Sequence, residues 1–391
     1  MADTSTDLTE RLALAGGGSD DDIDVIVKEA GLAAVVDALV TEVAFRCDEP
    51  QNTRVVHVGL ELDHGDERRL VVLRVQRDRP VEVVDESAAE LRSLLGFRLV
   101  DLVRRLYGRS GRRPYGDFRN RFMPQAPDPE SMFRELGDIL TAASQATSTA
   151  MSGCTAEHQG LGRLAVRYGS DKWASFHWYA PHYERHFAPF RDEPVRILEI
   201  GIGGYDEEVG GGSLRAWKRF FHRGTVFGLD IFDKTELNEP RLTALVGDQN
   251  DPEALAEVVR RHGPFDIVID DGSHMNEHIY TSFRTLFPLL RPGGLYVVED
   301  LQTAYFPAFG GSAGHTAEPH TSVGLVKSLL DDLHHQEREP ADRERTVTEA
   351  TVTGVHAYHN IVFVEKGVNG EDGLPAWMNA DAWEALGATD S

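Results

Sequence analysis

Cysteine is scarce: the 391 residues include only Cys47 and Cys154. Two thiols with no CxxC spacing support neither a disulfide framework nor a zinc knuckle, and they fit a cytoplasmic protein. Positive charge is short as well, with 40 lysines and arginines against 64 acidic residues and a formal net charge of −24. Such a field repels phosphate backbones and acidic lipid surfaces, so the expected partner is a small neutral or cationic molecule, with no nucleic acid and no membrane. Long apolar runs are missing too: nothing approaches the roughly 18 residues of a membrane span. The opening MADTSTDLTE is acidic and polar where a secretory signal needs a basic start and an apolar centre.

What is present has room for two cores, since domains usually hold about 100 to 200 residues. Residues 1–150 read as a small α+β domain and 151–391 as a larger α/β domain. In the first, residues 1–22 end in GGGSDDD and read as a flexible lead-in, with a helix expected over Ile23 to Val43. Val55 to Leu62 and Leu70 to Gln76 alternate around His64-Gly65-Asp66, which predicts a β-hairpin. Leu91, Leu94, Leu95, Leu99, Leu102, Val103 and Leu106 have helical spacing, which predicts one amphipathic helix from Ser87 to Tyr107. The stretch GRSGRRPYGDFRNRFMPQAPDP reads as a long irregular loop, and a helix is expected from Met132 to Ala150.

Beyond about residue 190 the rhythm changes. VRILEI (195–200), TVFGLDI (225–231), LTALVGD (242–248), FDIVIDD (265–271) and GLYVVED (294–300) alternate with helical segments, which predicts a mostly parallel sheet covered by helices on both faces. TVTGVHAYH and NIVFVEKG follow so closely on each other that only an antiparallel return can join them. The expected fold is therefore Rossmann-like, with a terminal antiparallel strand pair.

The first of these strands ends in Glu199-Ile-Gly201-Ile-Gly203-Gly204-Tyr205, placing glycines where the chain must turn and admit a ligand to its backbone. A dinucleotide fingerprint needs a third glycine, but position 206 is Asp, and Asp206-Glu207-Glu208 would repel a pyrophosphate. Asp230 ends the second strand, where an acid conventionally accepts ribose hydroxyls. Asp248 and Gln249 end the third, where they can address an adenine amine. Acids at three successive strand ends suit S-adenosylmethionine, whose sulfonium and ammonium are cations. Singly, each is also an ordinary turn glycine or strand-end acid. A nicotinamide-dependent oxidoreductase is the rival reading, carried only by the glycine loop and Asp230.

In open parallel sheets ligands bind beyond the carboxyl ends of strands, which is where Asp270-Asp271 and Glu299-Asp300 fall. Converging carboxylates raise one another's pKa unless a cation is present, so Asp271, Glu299 and Asp300 are candidate ligands of magnesium or manganese. His274 can reach a hydroxyl held by that metal and is the candidate general base. Asp270 reads equally as a cofactor neighbour or as a loop-orienting residue; His278 reads as a surface or packing histidine. Residues 301–324 form a Gly-rich loop that can fold over a bulky substrate, with Gln302, Tyr305 and Phe306 as candidate contacts.

These residues carry a resemblance. The glycine loop with GGGS (210–213), the IDDGSH run, the VVED pair and LQTAYFPAFGG are similar to the macrolide-sugar O-methyltransferases over about residues 160–370. The spacing from Asp271 to Glu299-Asp300 also resembles the metal arrangement of catechol O-methyltransferase. The resemblance implies a class I S-adenosylmethionine-dependent methyltransferase domain. It further implies magnesium-dependent methylation of a hydroxyl, the 2'' position, of a deoxysugar on a macrolide; another vicinal diol or catechol is the alternative acceptor. It also implies that Ser170, Lys172 and Ser213 meet the methionine end of the cofactor, and that a homotetramer forms in which the N-terminal domain, around Phe45 to Arg54, completes a neighbour's site.

Overall fold

The computed structural model describes residues 4–84, 91–110, 118–122, 129–155, 159–174, 176–204, 208–338 and 344–373. The chain divides into two compact units. One comprises Met1–Pro194 with Arg215–Thr225 and Asn238–Thr243, the other Val195–Leu214, Val226–Leu237 and Ala244–Ser391.

The first unit begins with a helix where the sequence reads as a lead-in. Helix α1 (Thr4–Ala15) buries Leu8, Leu12 and Ala15 along one stripe, a spacing masked by the polar residues around them. Helix α2 (Asp20–Ala30) starts in a capping box in which Ser19 and Asp22 satisfy each other's backbone N–H groups. Gly31, with φ of 86°, breaks the predicted helix between α2 and α3 (Leu32–Arg46). The expected hairpin is present as β1 (Val56–His64) and β2 (Glu67–Val75), flanked by β3 (Glu82–Val84).

The single helix expected from Ser87 to Tyr107 is instead a strand and a shorter helix, β4 (Leu91–Arg98) and α4 (Leu99–Tyr107); residues 85–90 lie outside those described. Leucine spacing in this stretch satisfies both periods, and pairing decides between them. β4 runs parallel to β1 and antiparallel to β5 (Phe118–Phe122), burying alternate residues Ser93, Leu95 and Phe97. β5 lies within the stretch read as irregular. The sheet order is β3-β2-β1-β4-β5, and α5 (Pro129–Gly153) packs against β1, β2 and β4. Helices α6 (Leu161–Tyr168) and α7 (Ala180–Phe187) follow.

A buried ionic network also belongs to this unit. The Glu42 carboxylate accepts from Arg46 Nε at 2.7 Å and from both Nε and Nη2 of Arg241, the former at 3.2 Å. Spare guanidinium donors go to carbonyls: Arg46 to Leu106 (2.7 Å) and His222 (3.0 Å), Arg241 to Gly224 (2.7 Å). Burial alone would raise the Glu42 pKa; Arg241 foremost, then Arg46 and Lys218, hold it well below the usual carboxylate range.

The second unit carries the predicted sheet. Its strands are β6 (Arg196–Ile200), β7 (Thr225–Asp230), β8 (Leu242–Val246), β9 (Ile267–Asp270), β10 (Leu295–Val298), β11 (Val352–Tyr358) and β12 (Ile361–Lys366). Helices α9 (Pro252–His262), α10 (Asn276–Leu286) and α11 (Ser322–Leu333) run between them, and α8 (Gly212–Phe220) begins in this unit, its residues from Arg215 onward being counted with the first. The order is β11-β12-β10-β9-β6-β7-β8; β9 pairs parallel with β6 and β10, whereas β12 is antiparallel to both β10 and β11. Strands β9 and β10 are buried throughout, which is why they read as unbroken apolar runs. Strand order reverses between β6 and β9, so the crevice beyond their carboxyl ends is the expected ligand site. Among the described residues, no helix is long and apolar enough to cross a membrane.

Candidate active site

The carboxyl ends of β6, β7, β8, β9 and β10 build the site. At β6, the glycine loop is anchored by Gly201 N–H to Leu229 O (2.8 Å) and by Ile202 N–H to Asp230 Oδ2 (2.9 Å). Gly201, at φ of 90°, is required for a reason beyond the turn itself: a Cβ there would collide with the Asp271 carbonyl, so this glycine lets the β9 loop approach. At Gly203, φ of 74°, a Cβ would meet nothing within 4 Å, which leaves that glycine's backbone open to a ligand. Asp230 also accepts from Phe232 N–H at 3.0 Å, so its two oxygens span the β6 and β7 turns. Ser213, at the start of α8, donates to Glu199 Oε2 at 2.9 Å. Tyr205 lies outside the described residues.

At β8, Asp248 is exposed and accepts from Asn250 N–H at 2.7 Å, an Asx-type turn. Gln249 is 5% exposed and both ends of its amide are engaged: Nε2 donates to Asp270 Oδ1 at 2.6 Å, and Oε1 accepts from Ser273 N–H at 3.0 Å. The other Asp270 oxygen accepts from the hydroxyls of Ser282 and Tyr296 (3.3 Å for the latter). Burial pushes the Asp270 pKa up to about 6, with these hydrogen bonds opposing the shift. Of the two readings of Asp270, this geometry supports loop orientation. Gln249 shares that role, which sequence reasoning missed; the clue was a buried-type amide facing two strand ends. Ser273, which had no assigned role, holds His278 Nδ1 at 2.7 Å and accepts from Met275 N–H at 3.3 Å.

At β9 and β10, Asp271, His274 and Asp300 come together, with one ligating atom from each within 4.8 Å of the others. His274 Nε2 lies 3.4 Å from Asp300 Oδ2. Both residues sit in the left-handed region, His274 at φ 57° and Asp300 at φ 55°, where each costs on the order of 1–3 kcal/mol. Such strain is held only where the surroundings over-determine it, and here it falls on two facing loops. Two half-buried carboxylate donors fit a hard divalent cation. Glu299 is 1% exposed and its N–H donates to Asp270 O at 3.0 Å, which sets it beside the same strand end, but the three-residue group does not include it.

Of the remaining predicted residues, Tyr305 and Phe306 are exposed, at 39% and 48%; Tyr305 ends the 3-10 turn Leu301–Tyr305 and Phe306 joins it to a second, Pro307–Phe309. Gln302 is half-buried, and no hydrogen-bond partner reaches its Oε1 among the described residues. Ser170 and Lys172 belong to the first unit. Lys172 is 3% exposed, and its carbonyl accepts from Tyr179 N–H at 3.1 Å. In the same stretch Trp173 and Trp178 meet edge to face at 4.9 Å.

The fold and the strand-end site define a class I methyltransferase. A family profile described as MycE methyltransferase N-terminal matches residues 9–115. Demethylmacrocin O-methyltransferase of Streptomyces fradiae is 46% identical over 98% of this chain and 97% of its own. Mycinamicin VI 2''-O-methyltransferase of Micromonospora griseorubida is 45% identical over 93% and 92%. The solved structure of MycE methyltransferase from the mycinamycin biosynthetic pathway, in complex with Mg, SAH and mycinamycin VI, is 42% identical with a TM-score of 0.91, covering 98% of this chain and 99% of that one. The chain belongs to the macrolide-sugar O-methyltransferase family, and it is an O-methyltransferase.

Proposed function

We propose that the protein transfers the methyl group of S-adenosylmethionine to the 2''-hydroxyl of a deoxysugar on a macrolide, with magnesium bound. The observation that carries this reading is the gathering of Asp271, His274 and Asp300 where the ends of β9 and β10 face the glycine loop of β6. Asp271, Asp300 and the adjoining Glu299 would hold the metal, and manganese would suit the same donors. Bound there, the ion supplies acidification of a sugar hydroxyl.

His274 takes that hydroxyl's proton on Nε2, the nitrogen facing Asp300, whose carboxylate stabilises the imidazolium that forms. The alkoxide oxygen then forms a bond to the methyl carbon as the carbon–sulfur bond breaks, and S-adenosylhomocysteine leaves with the electron pair on sulfur. The open backbone at Gly203, together with Glu199, Ser213 and Asp230, receives the cofactor, and Gln302, Tyr305 and Phe306 meet the glycoside. Asp248, at an exposed turn, remains in place for the adenine. Ser170 and Lys172 are assigned to the methionine end and Phe45 to Arg54 to a neighbour's site, on the family likeness. We place the enzyme in the cytoplasm as a homotetramer; two free, buried thiols suit a reducing compartment.

The test is a His274→Ala enzyme assayed by calorimetry with S-adenosylhomocysteine and by turnover of a desmethyl macrolide. Cofactor affinity should be kept and turnover lost; a variant that retains most of its rate at neutral pH would overturn the base assignment.

A further inference from the structure

Residues 301–324 read from sequence as a Gly-rich flap, yet the structure shows them built. Gly311 N–H bonds to Phe306 O and Ser312 N–H to Ala304 O, each at 3.0 Å, and a Cβ on Gly311 would collide with the Thr303 carbonyl. Gly324 packs equally closely on Glu318. These glycines serve close approach, not looseness.

One side chain ties this loop down at three points. Asn276 is 1% exposed; its Nδ2 donates to Thr303 O at 3.1 Å and to Phe309 O at 2.9 Å, and its Oδ1 accepts from Ser322 N–H at 2.6 Å. The tied carbonyls bracket Tyr305 and Phe306, the exposed aromatics of the loop. Asn276 is also two residues beyond His274 and opens α10, so a single buried amide fixes the base-bearing backbone against the aromatic loop.

We propose that Asn276 is a positioning residue that sets the register between His274 and the bound glycoside, and so selects which of two adjacent sugar hydroxyls is methylated. The proposal rests on the function proposed above. A shift of about 1 Å between base and acceptor is enough to cost about 10²-fold in rate at the preferred oxygen, and a neighbouring hydroxyl then competes.

The test compares wild type and Asn276→Ala on a desmethyl macrolide whose sugar carries a vicinal diol, resolving the methylated regioisomers by NMR. The expected result is one regioisomer from wild type and a mixture from the variant. Alongside it, kcat/KM for the original hydroxyl should fall about 10²-fold while the affinity for S-adenosylhomocysteine is unchanged. Should Asn276→Ala fail to fold, Tyr280→Phe decides, since it removes only the bond from the Tyr280 hydroxyl to the Pro319 carbonyl at the far end of the loop; it should give the same mixture to a smaller extent. An active wild type whose folded variants keep a single product overturns the proposal alone. A wild type that methylates no glycoside overturns the function and the proposal together.

Discussion

The first unit and the second each gather charge, and they handle it in opposite ways. Glu42 is sealed between Arg46 and Arg241, and the leftover guanidinium donors end on backbone carbonyls. Its Coulomb energy is spent within the fold. In the second unit two carboxylates and an imidazole gather at half-buried strand ends, with His274 and Asp300 on backbone held in left-handed conformations. Charge closed on itself supports a fold, whereas like charge brought together at the mouth of a sheet is arranged for something that binds there.

Perturbing each cluster should therefore move different observables. The largest effect is expected from His274→Ala, which should lower turnover by about 10² to 10⁴-fold and leave the unfolding midpoint near that of wild type. Glu42→Ala should do the reverse. Stranding two buried guanidinium groups should cost about 3–5 kcal/mol of stability in a denaturant titration, and the folded fraction should bind S-adenosylhomocysteine normally.

The acid limb extends that contrast. Glu42 has a folded-state pKa depressed from its ordinary 4.5, so its contribution is present above that pH and is lost as pH falls below it. Wild-type stability should drop on acidification below about pH 4.5, and a Glu42→Gln enzyme should show a flatter acid limb. Gln249→Leu is an intermediate case, leaving the Ser273 N–H and the Asp270 carboxylate each short of a partner. It should cost about 1–3 kcal/mol and weaken magnesium binding, read by calorimetry, by about 10- to 100-fold. The smallest effect is expected from Ser19→Ala, which removes the α2 cap for about 1 kcal/mol and leaves both clusters untouched.

The parallel sheet was legible because β9 and β10 are buried throughout and β6 is buried from Ile197 onward, so each reads as a short, mainly apolar run with an acid at or next to its end. Asp271, His274 and Asp300 were legible because strand-end chemistry falls at fixed places once the strands are found. Leu91 to Arg98 was not legible as a strand, because its leucines satisfy helical spacing and only pairing with β1 and β5 separates the two readings. Helix α1 was hidden by polar neighbours of Leu8 and Leu12. The bridging parts of Gln249 and Asn276 were passed over for a common reason: an amide's role depends on which two groups it bridges, and those partners lie 21 to 46 residues away along the chain.

The most direct measurement is product identification by mass spectrometry and NMR from desmethyl macrolides incubated with enzyme and S-adenosylmethionine, with and without EDTA. The account predicts one methyl group added to a sugar hydroxyl, no product in chelator and recovery on adding magnesium. Full methylation in chelator, or a methyl group carried elsewhere than on the sugar, would contradict it.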